Sequence, residues 1–153
     1  MKEMPNKKKK GRRDDYGRLW RPISNEVKIT VLFDSFAEKR NLATGWGVSF
    51  LIGDSILFDT GESEEMLLHN MQLLDIPPNQ IKKVVISHDH WDHTGGLWGL
   101  LKQNPNIDVY GCPGFSSSFK KKVKSSGSRV IEAKKLKEID AYICLLYTSA
   151  SPR

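Results

Sequence analysis

The chain has 153 residues, 39% of them hydrophobic, which is enough for one domain with a core and too few for two of ordinary size. Its formal charge of +6 is uneven: residues 1–21 hold nine Lys/Arg against three acids, and the remainder carries fifteen of each. That distribution excludes a uniformly basic, nucleic-acid-coating body, and no stretch approaches the roughly 20 apolar residues of a membrane helix.

In chain order, residues 1–24 read as a basic, disordered tail, because "MKEMPNKKKKGRRDDYGRLWRP" is poor in apolar residues and broken by Pro and Gly. No apolar run follows Lys7–Lys10, so they do not begin a signal peptide, and the expected location is cytoplasmic. "VKITVLF", residues 27–33, alternates Val27, Ile29, Val31 and Phe33 against Lys28, Thr30 and Leu32. It predicts a half-buried strand with the first set facing the core. "DSFAEKRNLATGWG" then reads as a surface loop. Val48 to Ile52 and Ile56 to Asp59 predict a hairpin, turned at Gly53 and Asp54 by positive backbone angles.

Ser63 predicts the cap of a helix whose first turn carries Glu64 and Glu65 and whose apolar stripe is Met66, Leu67, Met71 and Leu74, with "DIPPNQ" as its end. His69 on that helix is expected at the surface. "IKKVVIS" predicts a strand, "GGLWGLLKQNP" a short helix capped by Thr94 and stopped by Pro105, and "IDVYG" another strand. "PGFSSSFKKKVKSSG" predicts a helix with Lys120–Lys124 on a solvated face, and "SRVIEA" a last strand. Cys112 and Cys144 form no CxxC pair and read as small buried hydrophobes rather than a disulfide or thiolate site. The order is α/β, with a site at a strand end geometrically reasonable.

The chemistry concentrates in "SHDHWDHTGG", residues 87–96, which holds three of the four histidines. His88, Asp89, His90, Trp91, Asp92 and His93 spell H-x-H-x-D-H. By the two-residue alternation of a strand end, His88, His90 and Asp92 are expected to converge, with Asp89 and Trp91 pointing away and His93 turning out of register. Such a loop can offer two imidazoles to one ion and a carboxylate plus an imidazole to a second. The mixed N/O set without thiolate suits catalytic zinc, with Mn or Fe also compatible. Background composition would produce this pattern in roughly one chain in 10⁴ of this length. Asp59, ending the second hairpin strand, is placed to orient a ligand from behind. Gly95 and Gly96 are expected to let substrate or metal approach the backbone.

"SHDHWDHTGG" together with "ILFDTG", "ITVLFDS" and "GWGVSFLI" resembles the metallo-β-lactamase superfamily, over about residues 27–138, and within it the dihydropterin-aminobenzene-phosphate synthase-like hydrolases. The resemblance implies an αβ/βα sandwich with one or two zinc ions between its halves. It assigns His88 and His90 to the first metal and Asp92 and His93 to the second. Asp92 also orients the water whose hydroxide form, on the metal, attacks an ester, lactone or phosphoester of a small anionic metabolite.

Family members complete the site with later ligands. No histidine follows His93 here, and the only later aspartates are Asp108 and Asp140. The expectation is the first half of the sandwich: residues 25–140 as the N-terminal part of the domain, inactive alone. Residues 141–153, with the "LLYTSASPR" ending that resembles translated sequencing-adaptor read-through, are expected to be a non-native tail. Two other functions remain open. A nuclease of the same fold would suit the basic tail but not the neutral body, so nucleic acid is not the expected partner. A noncatalytic metal-binding or interaction fragment would suit the half-built site.

Overall fold

A computed structural model describes residues 27–134, 137–140 and 143–145. The basic tail expected over residues 1–24 lies outside them, as does the 141–153 ending except for Ile143–Leu145. Strands β1 (Ile29–Phe33), β2 (Ser49–Ile52) and β3 (Ile56–Phe58) form an antiparallel meander. Helix α1 (Glu64–Leu73) and a 3-10 turn (Pro78–Gln80) then lead to β4 (Lys83–Val85). Helices α2 (Trp91–Thr94) and α3 (Leu97–Gln103) connect it to β5 (Asp108–Gly111), and α4 (Ser117–Ser125) connects β5 to β6 (Arg129–Glu132). The sheet order is β1-β2-β3-β4-β5-β6, with β3 through β6 parallel. A separate hairpin, β7 (Lys137–Asp140) with β8 (Ile143–Leu145), follows.

The helices pack on one face. Leu67 and Met71 of α1, Leu97, Leu100 and Leu101 of α3, and Phe119 and Val123 of α4 share a cluster with Leu32, Leu51, Leu57, Val84 and Val109 of the sheet. Parallel strands need such crossovers, and with both faces covered Val84 and Val85 of β4 and Val109 and Tyr110 of β5 are all buried. On the opposite face Ile56, Val85 and Tyr110 meet Ile139 of β7, so the hairpin begins a second β layer. The architecture is α/β: one helix-on-sheet layer and the start of a second sheet, as expected for the first half of an αβ/βα sandwich.

Three local expectations are corrected. Ile29 and Val31 are 62% and 49% exposed while Leu32 is buried. The helices lie on the Leu32 side, and a bulge between Val31 and Phe33 returns Phe33 to the core. The hairpin turn takes a positive φ at Gly53 alone, not at Asp54. Thr94 caps no helix: its hydroxyl donates to the His90 carbonyl inside α2, and α3 starts at Gly96 without a side-chain cap. The α1 start is as expected, with Ser63 Oγ accepting from the Met66 N–H and Glu64 and Glu65 in the first turn. His69 is exposed and meets the Asn41 carbonyl, 2.9 Å from its Nε2. On α4, Lys121, Lys122 and Lys124 are exposed, with Lys122 over the Trp98 ring, and Lys120 is tied to Glu132 at 2.9 Å. Cys112 is half-buried and unpaired; the side chain of Cys144 lies outside the described residues.

Candidate metal centre

The parallel register aligns Phe58 with Val85, so the chain leaves β3 and β4 at the same edge of the sheet. Asp59 follows the first strand and Ser87 the second. The Asp59 N–H donates to the Val85 carbonyl at 2.8 Å, continuing the ladder one step past β3. Asp59 then departs from strand geometry with φ of 52°. A non-glycine residue in the left-handed region is uncommon, and aspartate is among the side chains that tolerate it. The kink leaves its carboxylate buried, 1% exposed, and aimed at the histidine loop.

That carboxylate accepts three hydrogen bonds. Oδ1 takes the Ser87 N–H at 2.7 Å, and Oδ2 takes the Ser87 hydroxyl at 2.6 Å and the His93 Nδ1–H at 2.7 Å. Because a hydroxyl has one proton and Ser87 gives it to Asp59, its oxygen accepts from His88 Nδ1–H, 2.9 Å away. Both imidazoles are thereby assigned the Nδ1–H tautomer, with the Nε2 lone pair left for a ligand. Ser87 escaped sequence reasoning because a serine before a histidine has no distinctive chemistry until its partner across the sheet is known. Its adjacency to the cluster was the available signal.

Ligand atoms of His88, Asp92 and His93 all lie within 4.8 Å of one another. His93 Nε2 and Asp92 Oδ2 are 3.4 Å apart, close to the edge of about 3.3 Å of a tetrahedron with ~2.05 Å bonds. The strand-alternation argument for convergence is corrected. Residues 91–94 form the helical turn α2, which places Asp92 and His93 together at its start. His90 is that turn's exposed N-cap; its ring stands edge-on to His88 at 4.6 Å, outside the three-residue group. Asp89 faces away from the cluster, as its position in the loop suggested. Its Oδ2 accepts the Ser116 N–H at 2.9 Å and ties the loop to the first turn of α4.

A second brace comes from Thr60, fully buried, whose N–H and hydroxyl both donate to the His93 carbonyl. Gly95 and Gly96 serve this packing. A Cβ on Gly95 would stand 1.9 Å from the Glu62 carbonyl oxygen, and one on Gly96 would stand 2.3 Å from that of Thr60.

Burial lowers the His88 pKa below its ordinary value, with the neighbouring His93 and His90 adding to the effect and Asp59 and Asp92 opposing it. A folded-state value below the unfolded one means that the unfolded chain binds more protons in that window. The contribution of His88 to stability is therefore present above about pH 6.5 and is lost as pH falls through the folded value. The expected result is a His88 ring titrating below the ordinary imidazole value when the metal-free chain is followed by proton NMR. A His88 titration at or above that value would contradict the burial described here.

Comparisons with known proteins fit this geometry. The family model of the metallo-beta-lactamase superfamily matches residues 47–138. A 7,8-dihydropterin-6-methyl-4-(beta-D-ribofuranosyl)-aminobenzene-5'-phosphate synthase of Methanocaldococcus jannaschii is 38% identical over 105 residues, covering 62% of this chain and 36% of its own length. A ribonuclease Z of Nanoarchaeum equitans is 33% identical over 94 residues, 58% of this chain and 29% of its own. The chain thus spans about a third of the length of these curated relatives. Among solved structures, the metallo-beta-lactamase fold protein YhfI of Bacillus subtilis aligns with a TM-score of 0.57 at 20% identity, over 77% of this chain and 50% of that one. A Thermotoga maritima protein described as a metallo-beta-lactamase aligns at 0.52 with 21% identity, over 76% of this chain and 63% of that one. No helix among the described residues is long and apolar enough to cross a membrane. With the model match extending from the loop before β2 through the histidine cluster to β7, the chain belongs to the metallo-beta-lactamase superfamily.

Proposed function

We propose that the chain is the N-terminal part of a cytoplasmic zinc-dependent hydrolase acting on an ester, lactone or phosphoester of a small anionic metabolite. The observation that carries this reading is the convergence of His88, Asp92 and His93 with both imidazole Nδ1 protons already engaged. The donor set fits one or two ions of borderline character, with Mn or Fe as alternatives to zinc. His88 and His90 would hold one ion and Asp92 and His93 the other. A bound divalent ion supplies Lewis acidity and makes water acidic enough to react near neutral pH.

The protein's own residues supply orientation. Asp59 holds His93 directly and His88 through Ser87, so neither ring must find its tautomer when a ligand arrives. Asp92 is the catalytic residue of this reading: its carboxylate would accept a hydrogen bond from the attacking water and orient it. The basic residues of 1–21 and the likeness to ribonuclease Z favour a second reading, a nuclease. The balanced charge of the remaining residues argues against it.

Zinc titration by calorimetry tests the site. The 153-residue chain is expected to bind weakly, because the resemblance implies further ligands later in the chain and no histidine follows His93, and His88→Ala is expected to abolish the binding. Equal zinc affinity in His88→Ala would refute the assignment, and submicromolar binding of two ions would refute the half-site. Hydrolysis of generic phosphodiester and lactone substrates against an RNA substrate separates the two activities.

A further inference from the structure

We propose that Asn70, on α1, is a positioning residue for Asp92: it fixes the loop over residues 34–47, whose end buttresses the turn carrying Asp92 and His93. The proposal rests on the metallohydrolase reading above and adds a residue to its machinery.

An asparagine is out of place where Asn70 stands. The apolar stripe of α1 runs through Met66, Leu67, Met71 and Leu74, and the helical period puts position 70 in the same stripe, one turn after Met66. The side chain is fully buried there. Asparagine favours caps and turns over helix interiors, and burying its amide costs stability unless hydrogen bonds replace the lost water. Main-chain groups replace it. Oδ1 accepts the Ala43 N–H at 2.8 Å, and Nδ2 donates to the carbonyls of Ala43 at 2.8 Å and of Leu32 at 2.7 Å. The amide thus stands in for a peptide group between β1 and the loop and grips both polar groups of one loop residue. His69, its neighbour on α1, meets the Asn41 carbonyl two residues earlier. Leu67 and Met71 seat the same helix in the core cluster, so the grip is anchored to the packed layer.

From Ala43 the chain has little freedom before it reaches Asp92. Gly47 is four residues on, at most about 14 Å of chain. The Gly45 N–H donates to the Asp34 carbonyl at 3.2 Å, and the Val48 carbonyl accepts the Gly61 N–H at 3.0 Å. Between these holds Gly47 abuts the Asp92 backbone, so closely that a Cβ there would stand 1.7 Å from the Asp92 carbonyl oxygen. The Asp92 peptide therefore cannot shift towards the loop unless the loop gives way, and Asn70 is the buried side chain that holds it. An asparagine that only stabilised the fold would leave the Asp92 peptide where it is when replaced.

The test compares Asn70→Asp with Met71→Ala in the 153-residue chain. Aspartate keeps the shape and an acceptor but removes both donors to the loop and β1. Met71 is equally buried on the same helix, so its truncation destabilises the core without releasing the loop. Zinc affinity is measured by calorimetry, and the His93 amide, which shares the Asp92 peptide, is followed in proton–nitrogen correlation spectra of the zinc-free chain. Asn70→Asp is expected to lower zinc affinity about tenfold and to shift the His93 amide. Met71→Ala is expected to keep affinity within about twofold and the amide in place. Equal effects of the two substitutions, or a folded Asn70→Asp with unchanged affinity and an unmoved His93 signal, would overturn the proposal. If Asn70→Asp does not fold, His69→Ala takes its place: loss of the exposed contact at Asn41 should move the same amide, and an unmoved signal overturns the proposal. Absent zinc binding in the parent chain removes the metal reading alone, because the amide comparison on the zinc-free chain still decides the positioning role.

Discussion

Asp59→Ala is expected to lower the unfolding free energy by about 3 to 5 kcal/mol. The physical reason is the number of donors it strands. The Ser87 N–H, the Ser87 hydroxyl and the His93 Nδ1–H all end on this carboxylate, and each buried group left without an acceptor costs about 1 to 3 kcal/mol. Metal affinity should fall with it by about 10- to 100-fold, because both candidate histidine ligands lose the contact that sets their tautomer. Asp59→Asn separates the two effects. Asparagine tolerates the φ of 52° and keeps one carbonyl acceptor, so stability should recover in part, while its amide N–H₂ places a donor where the carboxylate accepted from Ser87 or His93, and affinity should stay reduced. Urea denaturation and zinc calorimetry on the three proteins make the comparison. An Asp59→Ala variant as stable as the parent would mean that the network is not the hub it looks like.

Gly47→Ala is the second substitution with a severe expected outcome. Gly47 takes φ of 79° and its Cβ would meet the Asp92 carbonyl oxygen at 1.7 Å. The left-handed backbone costs a residue with a Cβ about 1 kcal/mol or more. The overlap adds an overpacking cost of about 1 to 3 kcal/mol, since both partners are backbone and neither can swing aside. The expected loss is on the order of 3 kcal/mol, together with displacement of the turn that carries Asp92 and His93. Gly53→Ala is the internal control: its φ of 60° is similar, but nothing lies within 4 Å of the added atom. It should lose only about 1 kcal/mol and keep its metal affinity. Thermal unfolding of the two variants decides the matter, and equal losses would show that the contact with Asp92 does not matter.

Much of the centre was legible in residues 87–96. Three histidines and a carboxylate at those spacings name their own chemistry, since few uses other than a metal require so many lone pairs so close together. The hairpin, α1 and the α/β order were equally legible, because apolar periodicity and Gly, Pro and Ser punctuation are local properties. Asp59 was identifiable as a support by its place at a strand end. The identity of what it supports was not.

Sequence by itself determined the α/β class and the superfamily, and it supplied the donor types of the candidate metal centre. Tertiary structure decided three things that no local pattern encodes. It set which face of β1 is buried, because Ile29 and Leu32 are both apolar and only the side on which α1 and α3 pack distinguishes them. It turned residues 91–94 into a helical start, so that adjacent Asp92 and His93 converge with His88 where strand alternation would have chosen His90. It also gave Ser87, Thr60 and Gly47 their roles, each of which exists only because parallel pairing of β3 and β4 brings residues about thirty or more apart in the chain into hydrogen-bonding or backbone contact. Contacts at that separation depend on how the whole sheet closes, which is why the donors of the site could be read from the chain while the framework that aims them could not.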